Sequence, residues 1–151
     1  MAKEIERKFL IDKSIPWELG QQKLIKQGYI LLEEDKHLRI RVVDNKGILG
    51  LKYLGEQVRD EYEYEIPLID GLEILNKCEL KVEKIRNTVS PIDNSYVVDI
   101  DTYPNGLIVA EVEFKSVEDA NKFVPIDWFG EEITGNREYS NITLAGLNLR
   151  F

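Results

Sequence analysis

The sequence predicts an α+β fold that is mostly β: a closed antiparallel β-barrel of about eight strands, with a charged interior and helices packed outside. Three observations predict it. Short stretches alternate apolar and polar residues with the period of a strand. Turn residues separate these stretches at short intervals. On the side opposite the apolar one, charge recurs at i, i+2 in stretch after stretch.

The first strand is Glu4 to Ile11, with Glu4, Glu6 and Lys8 on one face and Ile5, Phe9 and Ile11 on the other. Taken alone, Glu4-Ile5-Glu6-Arg7-Lys8 also fits a helix with Glu4 and Lys8 paired at i, i+4. Ser14-Ile15-Pro16-Trp17-Glu18 reads as a short helix start, ended by Gly20 or Gly28. Gly28–Glu33 is a strand, and Glu33-Glu34-Asp35-Lys36 a solvated turn. In His37–Asp44, Leu38, Ile40 and Val42 share one face and Arg39 and Arg41 the other. Asp44-Asn45-Lys46-Gly47 is a hairpin turn with residues able to take positive φ. Ile48–Leu54 returns with Lys52 opposite Leu51 and Tyr53.

Arg59–Ile66 sets Tyr62, Tyr64 and Ile66 against Arg59, Glu61, Glu63 and Glu65, and Pro67 ends it. Asp70 in the N-cap place and Glu73 three residues later predict a helix to about Cys78. Leu80–Val89 is a strand with Lys84 and Arg86 on one face. After a turn at Asp93-Asn94-Ser95, Tyr96, Val98 and Ile100 alternate with Val97, Asp99 and Asp101. Pro104-Asn105-Gly106 turns the chain. Ile108, Ala110, Val112 and Phe114 then alternate with Val109, Glu111, Glu113 and Lys115. Ser116 opens a helix, a loop carries Pro125, Trp128 and Gly130, and Tyr139–Leu149 has the spacing of a last helix.

At 151 residues, 43% of them hydrophobic, the chain has enough material for one domain, residues 1–151, with a proper core. The net charge of −8 argues against a nucleic-acid partner, which needs a basic footprint. No apolar run approaches membrane-spanning length. Met1-Ala2-Lys3-Glu4 starts no apolar leader, so a cytoplasmic location is expected. Cys78 is the only cysteine, which excludes a disulfide framework and a thiolate metal site. His37 is the only histidine. It gives a zinc site or a Ser-His-Asp triad little support and reads as a surface or strand-edge residue.

The alternation alone admits two architectures. The charged face looks at solvent around an apolar core, or the barrel is inverted and the charges line its hollow. The arrangement of signs favours inversion. Basic pairs (Arg39/Arg41, Lys84/Arg86) stand on different strands from acidic pairs (Glu4/Glu6, Glu111/Glu113). They are expected to face each other as opposing walls of the hollow, and such blocks are costly to bury alone. They become favourable when a polyanion and divalent cations fill the space between them, and a barrel of this size holds one small ligand.

These blocks resemble a known family. Glu4-Ile5-Glu6-Arg7-Lys8 matches the E-x-E-x-K signature of CYTH domains, the triphosphate tunnel metalloenzymes. Arg39-Ile40-Arg41 is similar to its R-x-R strand, Lys52 to its next lysine, and Lys84-Ile85-Arg86 to its K-x-R strand. Arg59 to Pro67 resembles a stretch of bacterial members. Asp101 and Ala110-Glu111-Val112-Glu113 resemble its late acidic strands. Trp128, Gly130, Glu132, Thr134, Tyr139 and Asn141 resemble its C-terminal pattern. The loop after Asp101 looks short for the family, and Asn136 and Glu138 stand where Asp and Arg are common.

The resemblance implies hydrolysis of a triphosphate, inorganic tripolyphosphate first, inside a tunnel with Mg²⁺ or Mn²⁺. Lys8, Arg39, Arg41, Lys52, Arg59, Lys84 and Arg86 would bind phosphate oxygens. Glu4, Glu6, Glu63, Asp101, Glu111 and Glu113 would hold metal. Glu4, Glu6, Lys8, Glu111 and Glu113 would form the catalytic group, with Glu111/Glu113 or Glu4/Glu6 as base. Class IV-like adenylate cyclase, thiamine triphosphatase and a non-catalytic triphosphate-binding module are the alternatives. No inward aromatic offers a nucleobase platform, and no P-loop motif occurs. The expected partner is a triphosphate-containing small molecule, with no nucleic acid and no membrane; a homodimer is left open.

Overall fold

The alternating stretches pair into a ring of antiparallel strands. The computed structural model describes residues 3–12, 21–55, 58–89 and 96–151. The expected helix start at Ser14–Glu18 and the turn at Asp93–Ser95 lie outside the described residues. The strands are β1 (Lys3–Ile11), β2 (Gln22–Leu32), β3 (Lys36–Val43), β4 (Lys46–Tyr53), β5 (Val58–Ile66), β6 (Leu80–Val89), β7 (Val98–Thr102), β8 (Ile108–Glu113) and β9 (Phe129–Glu132). The helices are α1 (Leu68–Lys77), α2 (Val117–Lys122) and α3 (Asn141–Gly146).

The strand order β5-β4-β3-β2-β6-β7-β8-β1 closes through a β1–β5 pairing that sets Glu4 opposite Arg59. β9 extends the sheet beside the other half of β1, with Phe9 opposite Glu132 and Ile11 opposite Phe129. Asp44 and Asn45, with φ of 52° and 60°, form the two-residue turn between β3 and β4. Positive φ at both positions matches the twist of a tight hairpin.

The apolar face turns outward and is covered. Under α1, Ile40, Leu75 and Cys78 pack with Val42, Leu49, Ile66 and Ile74. The helix comes so close that a Cβ on Gly71 would lie 2.9 Å from the Cα of Gly47. Near α2 and β9, the second cluster joins Ile11, Val98, Ile100, Ile108, Ala110 and Val112 to Phe114, Phe123, Trp128 and Phe129. Arg7, outward on β1, clamps that cover. It donates to both carboxylate oxygens of Glu132 (2.9 and 2.7 Å) and to the Ala120 and Phe123 carbonyls (2.9 and 3.0 Å).

Four expectations need correction. β2 begins at Gln22, not Gly28, because its first half mixes apolar and polar residues on both faces. α1 is capped by Pro67, so Asp70 lies in its first turn and not at the N-cap. Proline suits that boundary, since the helix leaves the first N–H groups unpaired. Gly130 lies in strand β9 rather than loop, while Trp128 stays in the turn before it; a Cβ on Gly130 would lie 2.8 Å from the Leu10 carbonyl oxygen. The last helix is short, preceded by a 3₁₀ turn at Arg137–Tyr139, and it does not cover the outside. Leu144 and Ala145 pack instead with the inward residues Tyr29, Val82, Tyr103 and Val109, and with Ile133. α3 thus covers part of the barrel's inner face.

Candidate active site

Register fixes which side chains face inward. Opposed residues of paired strands share a face. Lys8 stands opposite Glu111 and Glu6 opposite Glu113. Arg86 stands opposite Asp101, Lys52 opposite Glu61, and Arg41 opposite Gln27. The hollow they surround has a volume of about 1220 Å³. Its lining includes Glu4, Glu6, Lys8, Arg39, Arg41, Lys52, Arg59, Glu63, Lys84, Arg86, Glu111 and Glu113. The inverted architecture is therefore the observed one.

Of the expected site residues, only Asp101 is not among those lining the hollow. It is fully buried, held by Lys84 at 2.8 Å and by Arg86 through two bonds of 2.7 and 2.9 Å. Burial would raise its carboxyl, but these two cations hold it below the usual range.

The signs do not form opposing walls. They interleave across neighbouring strands and pair. Lys52 meets Glu4 at 3.1 Å and Glu61 at 3.5 Å. Arg39 meets Glu61 at 3.1 Å, and Arg59 lies 3.7 Å from both Glu4 and Glu6. Lys8 bridges Glu6 at 3.6 Å and Glu111 at 3.4 Å, and Arg86 also reaches Glu111 at 3.4 Å. Burial alone would lower Lys8, but Glu111 and Glu6 outweigh it and hold its ammonium firmly charged.

Two groups stay poorly compensated. Arg41 has no carboxylate within ion-pair distance among the described residues. Its terminal nitrogen donates weakly to Gln27 Oε1 at 3.3 Å, and its buried Nε has no partner. Burial, then Arg39 and Arg86, pull it down to about 10. Glu6 has the opposite problem. Burial, then the Glu111 and Glu4 carboxylates, push it up to about 7. Burial and the Glu4 and Glu6 carboxylates raise Glu113 as well. Among the described residues, no group of three or more His, Cys, Asp or Glu side chains converges closely enough to cage an ion.

The C-terminal pattern ties the chain to the site. Thr134 Oγ1 accepts from the Lys8 N–H at 2.9 Å and donates to Glu132 at 2.7 Å. Asn141, at the start of α3, accepts from the Tyr103 hydroxyl at 2.7 Å and from Lys84 Nζ at 3.4 Å. Asn136, Arg137, Ser140 and Thr143 form part of the lining.

Sequence reasoning missed several lining residues. Glu61, placed on the charged face with Arg59 and Glu63 but given no site role, is a buried ion-pair partner of Arg39 and Lys52. Tyr29 faces inward, so the expectation of no inward aromatic is corrected. His37, half-buried near the start of β3, also lines the hollow; pairing with Lys52 turns it inward rather than to the outer surface.

No family model matches the chain. It is 40% identical over 150 residues to the inorganic triphosphatase of Acetivibrio thermocellus, covering 96% of this chain and 94% of that protein. It is 34% identical over 147 residues to the inorganic triphosphatase of Nitrosomonas europaea, covering 94% and 96%. The fold matches the crystal structure of an inorganic triphosphatase with a TM-score of 0.68 at 33% identity, over 96% of this chain and 95% of that one.

Proposed function

Since the chain belongs to the CYTH, or triphosphate tunnel, family together with these inorganic triphosphatases, we propose that it cleaves inorganic triphosphate to pyrophosphate and orthophosphate inside its barrel. The observation that carries this reading is Arg41. A buried guanidinium with an orphaned nitrogen, in the lining of a large hollow with Arg39 and Arg86, is matched by a polyanion. Arg39, Lys52, Lys84, Arg86, Arg59 and Lys8 complete the phosphate contacts by exchanging part of their bonding with carboxylates for bonding with phosphate oxygens. Asp101 acts as the fixed counter-ion that aims Lys84 and Arg86.

A divalent cation fits the residues present. The carboxylates are hard oxygen donors of the kind Mg²⁺ and Mn²⁺ take. The raised Glu6 and Glu113 carboxyls record burial and then carboxylate repulsion, and positive charge relieves the repulsion. Glu4, Glu6, Glu111 and Glu113, with Glu63 nearer solvent, would hold it. When bound, such an ion neutralises phosphate charge and makes water a better nucleophile. The chain's own contribution is positioning. Guanidinium and ammonium groups hold the phosphates in line and stabilise the charge that shifts during transfer. The Glu4/Glu6 and Glu111/Glu113 pairs stand ready to take the proton of the attacking water.

The test is product analysis of the purified protein with tripolyphosphate, ATP or thiamine triphosphate, each with Mg²⁺ or Mn²⁺. Orthophosphate from tripolyphosphate, abolished by chelation and by Glu6→Ala in a folded protein, is the expected result. Cyclic AMP from ATP with tripolyphosphate untouched would overturn it, as would tight triphosphate binding without turnover.

A further inference from the structure

His37 is the one histidine of the chain, and it lines the hollow. It lies on the inward face of β3, between Leu32 of β2 and Lys52 of β4, and lines the hollow beside both. The Tyr29 ring meets it edge-on at 6.3 Å. The cations acting on it come from three strands: Lys52 from β4, Arg59 from β5 and Arg39 from its own strand. Glu33 and Glu34, in the turn between β2 and β3, line the same hollow, and Glu33 is engaged by Lys36 at 3.2 Å. Imidazole is the one side chain whose ordinary protonation changes near neutral pH.

We propose that His37 is a substrate-linked proton acceptor. A polyphosphate seated on Lys52, Arg59 and Arg39 draws a solvent proton onto the imidazole, which then donates a charge-assisted hydrogen bond to the phosphate. This rests on the triphosphate reading of the site and adds a pH-dependent binding residue to it. The physical cause is a reversal of local field. In the free protein, burial and then Lys52, Arg59 and Arg39 hold the imidazole below its ordinary value and so neutral at pH 7. Those same cations are the phosphate contacts. Once a polyanion offsets their charge, the balance at His37 turns negative and protonation is favoured. No covalent bond changes; one proton passes from solvent to a ring nitrogen.

The experiment is calorimetric titration of inorganic tripolyphosphate into wild type, His37→Gln and His37→Asn. It is run with EDTA, so that no turnover occurs, in two buffers of unlike ionisation enthalpy. Protons gained or lost by tripolyphosphate itself are common to all three proteins and cancel in the comparison. Wild type should take up roughly half a proton more than either variant near pH 7. Its affinity advantage should be about tenfold at pH 6 and shrink towards unity by pH 8.5. Equal proton uptake, or an affinity ratio that does not move with pH, overturns the proposal while leaving the triphosphate site standing. Absence of binding to wild type in EDTA overturns the proposal; absence of binding with Mg²⁺ as well overturns the triphosphate reading too.

Discussion

Arg41→Met separates binding from stability, and the two should move in opposite directions. In the free protein the guanidinium is buried and its value is pulled below the ordinary one, to about 10. At about 1.4 kcal/mol per pH unit, that gap makes the charged form roughly 3 kcal/mol less favourable folded than unfolded. The sign is set by a depressed cation: the penalty is fully present below about pH 10 and fades only above it. Methionine removes the penalty and also removes the 3.3 Å bond to Gln27, which stabilises by about 1 kcal/mol. The net gain is about 2 kcal/mol, or a Tm rise of about 4–8 °C for a chain of this size. Thermal melts in EDTA read it directly. Tripolyphosphate should stabilise wild type strongly and the variant little, because ligand stabilisation follows affinity. In the hydrolysis assay, kcat/KM should fall by about tenfold to about a hundredfold for each charged hydrogen bond lost. A lower Tm with kcat/KM within about twofold of wild type would refute the reasoning. Arg41 would then be an ordinary satisfied core residue.

Glu6→Gln tests the acidic half. The folded carboxyl holds its proton to about pH 7 against 4.5 for the ordinary group. Between those values the folded state binds more protons, so wild-type stability without metal falls as pH rises. The variant should lack that fall; in EDTA its Tm advantage should open between pH 4.5 and 7 and then stay level, and a gap independent of pH contradicts the assignment. Asp101→Asn leaves the fully buried Lys84 and the partly buried Arg86 without their shared carboxylate, so a loss of about 3–5 kcal/mol is expected in denaturant melts. Arg7→Ala removes the clamp on α2 and β9, including its place 5.4 Å from the Phe9 ring centroid. It should cost about 2–4 kcal/mol while kcat at 25 °C stays that of wild type. A matching loss of kcat would mean that the outer cover shapes the hollow.

Much of this barrel is legible in the sequence because contrast between faces is what a pattern reports. Arg39/Ile40/Arg41 and Lys84/Ile85/Arg86 alternate so sharply that strand, facing and chemistry follow together. Legibility fails where contrast fails. The first half of β2 carries Ile25 and Gln27 on its inner face and Leu24 and Lys26 on its outer face, so neither period nor polarity marks it. The short α3 shows that one face is buried but cannot show against what; that its apolar side meets Val82 and Val109 inside the barrel depends on closure, a long-range event. His37 and Tyr29 were hidden for a similar reason. An isolated imidazole or phenol gains meaning only from the strand beside it. The same limit governs charge. Blocks of one sign along each strand suggested two facing walls. Register instead sets Arg86 against Asp101 and Lys52 against Glu61, so most charges are neutralised sideways by the neighbouring strand. That pairing lowers the cost of burying so polar a hollow. It also makes the residual imbalance informative: what register leaves over is a cation at Arg41 and repelling carboxylates at Glu6 and Glu113, the complement of an anion that arrives with a metal ion.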